Sequence, residues 1–435
     1  METGNYIKPP WVLAERGWQQ PSYTEPISPS HIIFSEWKEI ACESLVRAKD
    51  SITRLENEGR WELVKKMVNP YEIIYTHEDK HFHPSIAIVK PLSRSYFKMI
   101  EMAHVLGIFE NMKNAPKLRT AHVAEGPGGF IQGIVEVCSR HKKILQVATA
   151  MTLKSTDQRV PGWRRASSFL HHHREVRLHY GADDTGDIYK VQNQDSFVKT
   201  VEPVVNLFTA DGGFDFSVNY AIQEKCVFRL LVCSATVGLR CLSRDGSFVL
   251  KIFESFSEST QLLIVLMGRC FREWMLYKPA LSRPCNSERY FLGRGFNRLS
   301  PNTLQILMAM QAAAAEEKYP SLSGITFTES ETAYLNQNMN ACARDQEKAI
   351  ERAHTYANHP EMWYSTQLPH DFKTSKLWCE QFRVPYNYSK ALTIEMPTYS
   401  PFPAVCTSEQ GAAQQSPSPG DDSTTLVPSY RASPA

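Results

Sequence analysis

No two of the ten cysteines in this 435-residue chain stand at Cys-x-x-Cys spacing. That argues against a zinc framework and a disulfide scaffold, and for reduced thiols. Long apolar runs are missing too. The best stretch, Gln261 to Met267, is far too short to cross a bilayer, so no membrane partner is expected. Net charge is almost absent: 48 Lys+Arg against 46 Asp+Glu leave a formal +2. A histone-like polycation is thereby excluded, and any nucleic-acid site has to be a local patch. The opening Met-Glu-Thr-Gly-Asn has neither the basic nor the apolar region of a secretion leader. With the thiols, this sets the expectation of a reducing compartment: cytoplasm or nucleus, or a virion or viral factory for a viral chain. His171-His172-His173 is the one metal-like cluster. Adjacent side chains point apart, so it reads as a solvated loop and no metal is expected.

What is present divides the chain into four regions. Residues 1–84 begin rich in Pro and Trp and continue into a charged helical stretch, Ser35 to Met67. Residues 85–300 alternate apolar strands with helices. Strands are expected near 119–124, 144–149, 175–179, 204–210, 247–253, 273–278 and 289–295, and helices near 94–106, 129–140, 219–242 and 257–270. Such alternation predicts an α/β fold with a mostly parallel sheet covered on both faces. The last two strands are close enough in sequence to form an antiparallel hairpin. Residues 301–398 read as helical. The remainder, 399–435, is expected to be disordered, being rich in Ser, Pro, Gly, Gln and Ala from Thr407 on.

The first strand runs into Ala124-Glu125-Gly126-Pro127-Gly128-Gly129-Phe130, and Ile131, Ile134 and Val135 follow at helical spacing. Strand, glycine turn and helix make a ligand-sized pocket at the strand's carboxyl end. Phe130 stands where a phosphate-binding loop needs Lys, and the glycines miss the Gly-x-Gly-x-x-Gly spacing. An acid before the turn repels a pyrophosphate and suits a cationic or hydroxyl-bearing ligand. S-adenosylmethionine, with a sulfonium, an ammonium and a ribose, fits. A plain turn with no ligand is the competing reading.

Four charged residues sit at telling places. Asp211 ends the fourth strand in Thr209-Ala210-Asp211-Gly212-Gly213. Lys251 interrupts the apolar run Phe248 to Phe253, where a lysine is costly unless paired or at the strand end. Glu288 precedes the last strand, and Lys98 lies on the helix before the first. Singly, each has an ordinary alternative: a helix cap, a snorkelling lysine, a surface acid.

Together they resemble the FtsJ-like family of ribose 2′-O-methyltransferases, over residues 93 to 295. The wording is closest to the eukaryotic and viral mRNA-cap branch. Ser93-Arg94-Ser95-Tyr96-Phe97-Lys98 is similar to the family's Ser-Arg-x-x-Phe-Lys helix. Ala124 to Phe130 looks like the cap branch's methyl-donor loop. Asp211-Gly212-Gly213, Val249-Leu250-Lys251 and Asn286-Ser287-Glu288-Arg289-Tyr290 follow in order. The resemblance implies a Rossmann-like methyltransferase fold: a seven-stranded, mostly parallel sheet with an antiparallel last strand, flanked by helical N- and C-terminal extensions. It also implies a Lys98–Asp211–Lys251–Glu288 catalytic tetrad.

What it implies chemically is transfer of a methyl group to a ribose 2′-hydroxyl. Lys251 is the candidate to orient and deprotonate that hydroxyl, or, if it stays charged, to stabilise the developing oxyanion. Asp211 would hold Lys251 beside the donor, and Lys98 and Glu288 would fix the acceptor nucleotide. The donor site is expected to use Glu125, Gly126, Pro127, Gly128, Gly129, Phe130, Asp211 and Asp187, with S-adenosylmethionine as cofactor. Asp187 matches a family position near the adenine; an acidic surface turn is the equal alternative. After the second strand, Thr149 to Lys154 lacks the acid that many methyltransferases place there for the donor ribose.

For RNA, Arg159, Arg164, Arg165, Arg174 and Arg177 interleave with Trp163 and Phe169, a pattern that binds phosphate and stacks on bases. Arg94, Arg164, Arg165 and Arg289 are the expected RNA contacts. A solvated loop is the alternative for the arginine-rich stretch. The expected partner is 5′-capped mRNA; the helical C-terminal region, 301–398, either braces the core, the default reading, or docks a protein partner. Two other functions are carried: the same chemistry on ribosomal or transfer RNA, and a catalytically inactive RNA-binding or scaffold protein.

Overall fold

Leu118, Ala121 and Val123 are wholly buried, and they lie on an interior strand of the sheet. This is a computed structural model; it describes residues 9–21, 26–38, 42–76, 82, 85–110, 117–157, 160–201, 204–213 and 222–387. The tail 399–435, the last part of the helical region and Arg159 lie outside the described residues. Seven strands of the described chain form one sheet: β1 Lys117–Val123, β2 Ile144–Met151, β3 Val176–Leu178, β4 Val205–Ala210, β5 Leu242–Ile252, β6 Phe271–Tyr277 and β7 Arg289–Phe296. Their order is β3-β2-β1-β4-β5-β7-β6. β1 to β5 are parallel; β7 inserts between β5 and β6 and runs antiparallel to both. The expected hairpin is therefore present, and the strands fall close to where the apolar runs placed them.

The sheet is apolar on both faces because both are covered. The helices introduced in chain order are α1 Glu43–Asn57, α2 Trp61–Met67, α3 Ser95–Val105, α4 Gly129–Arg140, α5 Val191–Thr200, α6 Gln223–Cys241, α7 Glu258–Gly268, α8 Pro301–Ala315, α9 Glu329–Asn358 and α10 Leu368–Gln381. Leu207, Val249 and Leu292 face the core shared with α3, α4 and both extensions. Their neighbours Phe208, Phe248, Leu250 and Phe291 face α6, α7 and α8. Successive residues thus serve opposite layers, as the strand period requires.

The stretch read as one charged helix, Ser35 to Met67, is not one. Ile33–Ser35 is a short strand paired with Tyr319–Ser321, and the helix breaks between α1 and α2 at Gly59, whose φ is +67°. A left-handed residue ends a helix, and glycine takes that conformation without strain. The tryptophans of this region pack inward: Trp11 edge-on to Tyr71 and Phe382, Trp37 edge-on to Phe228 and Tyr319. The C-terminal helices brace α3. The buried Glu101 carboxylate accepts from Trp378 Nε1 at 2.7 Å, from the Ala280 amide at 2.9 Å and from the Tyr277 hydroxyl.

Candidate active site

The glycine turn is shaped by what crowds it. Gly128 caps α4 with φ +102°, and its amide donates to the Glu125 carbonyl at 2.6 Å. A Cβ on Gly129 would lie 2.2 Å from the Ser93 and Ser95 hydroxyls, which start α3. Only glycine fits either place. Gly126 and Pro127 form the turn itself, under Pro161. Phe130 is wholly buried and packs 5.8 Å from the Tyr290 ring, so its side chain belongs to the core.

Glu125 is the exposed question in this buried loop. Both its oxygens are inaccessible, and neither makes a well-formed hydrogen bond among the described residues; the Phe130 amide exerts only a weak pull on it. Nδ1 of His122 lies 3.2 Å away, but that ring is engaged with the Thr209 and Thr120 hydroxyls at 2.7 Å each. Burial pushes His122 down to about 3, so it is neutral. Burial, then repulsion from Asp211, pushes Glu125 well above the ordinary carboxyl range, against the pull of the Phe130 amide. An orphaned acid is costly to bury. A ligand bearing a cation or hydroxyl would satisfy it, so the loop fits the cofactor it was read for. Beside it, the loops after β2 and β3 lock together: the Lys154 amide donates to Thr185 O at 2.8 Å, and Lys154 pairs with Asp184 at 2.6 Å. Asp187 lies half-buried there and accepts from the Tyr189 amide at 2.9 Å.

The four expected catalytic residues come together. Lys98 on α3 pairs with Glu288, and Lys251 at the end of β5 pairs with Asp211 at 3.3 Å while donating to its carbonyl at 3.0 Å. The antiparallel β7 explains the meeting: Lys251 lies opposite Tyr290 in the ladder, which brings Glu288 alongside. Tyr290, not singled out from sequence, joins the two pairs. Its hydroxyl lies 2.9 Å from Asp211 Oδ1 and 3.2 Å from Glu288 Oε1. Its position two residues after Glu288 was the available signal. Lys278 is a second missed residue; its Nζ donates to Asn286 O at 2.7 Å and to Glu288 O at 2.9 Å, pinning the loop that carries Glu288.

Residues 91–296 match the model of the FtsJ-like methyltransferase family. The chain carries an FtsJ-like methyltransferase domain. The matched span contains all four residues of the tetrad, and the resemblance read from the motifs holds. Among curated proteins, a cap-specific mRNA (nucleoside-2′-O-)-methyltransferase 1 of Xenopus laevis is 27% identical over 376 residues, 77% of this chain and 40% of that protein. Its namesake from Trypanosoma cruzi is 31% identical over 214 residues, 47% of this chain and 56% of that one. That from Dictyostelium discoideum is 36% identical over 127 residues, 28% and 17%. The chain thus spans less than two thirds of each relative.

In the FtsJ-like domain the charges are balanced against burial. Burial pulls Lys251 down, but Asp211 and Glu288 outweigh it and leave the ammonium raised above its ordinary range. Burial would raise Glu288, yet Lys98 and Lys251 hold it well below the carboxylate range. For Lys278 burial outweighs the attraction of Glu288 and brings it down to about 8. The resting site therefore favours a charged Lys251, suited to polarising an oxygen rather than to taking a proton.

Two of the four expected RNA contacts are spent inside the FtsJ-like domain and its extensions. Arg94 pairs with the buried Glu72 at 2.7 Å and donates to the Tyr75 and Leu281 carbonyls. Arg289 is buried; it donates to Phe253 O at 2.9 Å and to Asn338 and Ser255. Neither guanidinium is free to meet a phosphate. Arg164 and Arg165 are exposed. Next to Glu288, a cavity of about 130 Å³ opens between the FtsJ-like domain and the extensions, lined by Lys49, Trp61, Lys65, Gln223, Ser287 and Gln346. Both extensions therefore contribute walls to this cavity.

Proposed function

We propose that this chain is an S-adenosylmethionine-dependent RNA ribose 2′-O-methyltransferase acting on the first transcribed nucleotides of capped mRNA. The observation that carries the reading is the tetrad: two opposed ion pairs, bridged by Tyr290, beside a glycine turn with an unsatisfied acid. The relatives named for cap-specific mRNA methylation favour capped mRNA over ribosomal or transfer RNA. The complete tetrad speaks against an inactive scaffold. The free thiols suit work in the cytoplasm or nucleus.

S-adenosylmethionine, when bound, supplies an electrophilic methyl group. Glu125, the turn Gly126 to Gly129 and Asp187 would hold it. Lys251, kept charged by Asp211 and Glu288, donates to the acceptor ribose oxygen and stabilises the negative charge that develops there as the oxygen–methyl bond forms and the methyl–sulfur bond breaks; the 2′-hydroxyl proton passes to solvent water. Lys98 neutralises Glu288 and keeps the cluster from expelling a polyanionic substrate. Holding the hydroxyl in line is worth up to about 7–11 kcal/mol in such reactions. The cavity beside Glu288, with an indole and two lysines in its wall, receives the 5′ end. The test is alkaline hydrolysis of RNA labelled with a radioactive methyl group. A 2′-O-methyl next to the 5′ end leaves one alkali-resistant dinucleotide. Label on a base, or spread along the strand, would refute the reading.

A further inference from the structure

We infer that the exposed segment beginning at Trp163 is a track for the RNA strand beyond the nucleotide being methylated; this rests on the RNA methyltransferase reading. The chain is nearly neutral overall, yet Gln158 to Ala182 holds five arginines and a single acid, Glu175. That acid is taken by His173 at 2.9 Å. Elsewhere, several surface arginines find carboxylates, Arg240 with Asp195, Arg272 with Asp245 and Arg294 with Glu273, and those that do not, such as Arg298 and Arg344, stand apart in sequence. Arg164, Arg165 and Arg174 are exposed and have no carboxylate partner among the described residues; Arg174 reaches only the His171 ring, at 3.3 Å. Unpaired arginines kept close together repel one another, and a phosphate chain relieves that repulsion.

The segment is held rigidly enough to present them. Trp163, Ala166 and Val176 are buried with Ile131, Ala148 and Ala150 in a small core of their own. The Trp163 ring lies 3.0 Å from where a Cβ on Gly128 would stand, so the track starts on the donor loop itself. Arg164 and Arg165 follow at once, then the helix Ser167–His172, whose exposed residues include His171 and His172, and then Arg174. The acceptor cavity lies by β5 and β7, and the track lies at the β3 edge. Four strand spacings separate β3 from β5, roughly 20 Å. A stacked strand covers that in about six nucleotides. A very short acceptor reaches the tetrad without reaching the track; a longer one meets both.

The experiment compares methyl transfer by the full chain and by the triple variant Arg164→Ala, Arg165→Ala, Arg174→Ala. The acceptors are a capped trinucleotide and a capped 20-mer with the same 5′ sequence. The variant is expected to raise KM for the 20-mer tenfold or more, with kcat and the trinucleotide KM unchanged within twofold. Losing three phosphate contacts should flatten the log–log salt dependence of 20-mer binding by about 2, roughly a 20-fold smaller loss between 50 and 200 mM salt. Lysines at the same three positions should restore 20-mer binding, because the track needs charge. An unchanged 20-mer KM in the alanine variant overturns the proposal. So does an equal rise for the trinucleotide, which would mean damage to the donor loop. If the wild-type chain methylates neither RNA, the parent reading fails, and anisotropy with an uncapped 20-mer then judges the track alone. Lost affinity in the variant supports it. Retained RNA affinity with lost binding of polyglutamate assigns the surface to an acidic protein and overturns it.

Discussion

Replacing Glu125 by glutamine removes, among the described residues, the one buried acid at the glycine turn that lacks a well-formed hydrogen bond on either oxygen. Burial and the nearby Asp211 push this carboxyl well above its ordinary range before a ligand arrives. A ligand cation or hydroxyl that donates to it favours the ionised form, so binding should release a proton. The sign follows: affinity for the donor rises with pH, by at most tenfold per unit, until Glu125 ionises in the free protein. A hydrogen bond to a charged group contributes about 1.5–3 kcal/mol net. Loss of that bond in Glu125→Gln should weaken binding by roughly 10- to 150-fold and remove the pH dependence. Calorimetry of S-adenosylhomocysteine binding, run between pH 6 and 8 in buffers of different ionisation heat, reads both quantities. Equal affinity of the variant and wild type, with no proton released by either, would refute the reasoning.

Other expectations follow from the same site. Lys251→Met should lower single-turnover methyl transfer by about 10²–10³-fold, the usual loss for one oxyanion donor, with donor affinity within twofold of wild type; a rate within tenfold of wild type contradicts the assigned role. Because Asp211 and Glu288 hold Lys251 above its ordinary range, the ammonium persists through neutral pH, and the single-turnover rate should be level from pH 7 to 9. A tenfold rise per pH unit would instead mark a neutral lysine acting as base. Tyr290→Phe should cut kcat tenfold or more while leaving KM for RNA nearly unchanged, since among the described residues the hydroxyl bonds to Asp211 and Glu288 alone. Burial raises Glu101 from 4.5 to about 7, so its ionisation opposes folding as pH rises through that window, by about 3 kcal/mol at most. Thermal unfolding should therefore start at lower temperature at pH 8 than at pH 5.5, and a midpoint that rises over this range counts against the buried carboxyl.

The strands were legible because a sheet covered on both faces demands unbroken apolar runs, and runs such as Phe248 to Ile252 have no other use. The tetrad was legible because its members stand at strand ends, inside short motifs whose order matches the fold. What escaped depends on distant partners. Ile33–Ser35 is a strand only because Tyr319–Ser321 lies beside it. Tyr290 matters because β7 runs antiparallel to β5, a fact of register rather than of local spacing. Arg94 and Arg289 read as free charges until Glu72, Asn338 and Ser255 appear around them. The cavity wall drawn from α1, α2 and α9 was beyond sequence reasoning for the same reason.

The most direct test of the central claim is methyl transfer measured side by side on capped and uncapped RNA of one sequence, with the modified nucleotide located by mass spectrometry of nuclease digests. The account predicts a 2′-O-methyl ribose at the first transcribed nucleotides of the capped RNA, at least tenfold less product from the uncapped RNA, and none with Lys251→Met. Equal transfer to both RNAs, or a methyl group on a base, would contradict it.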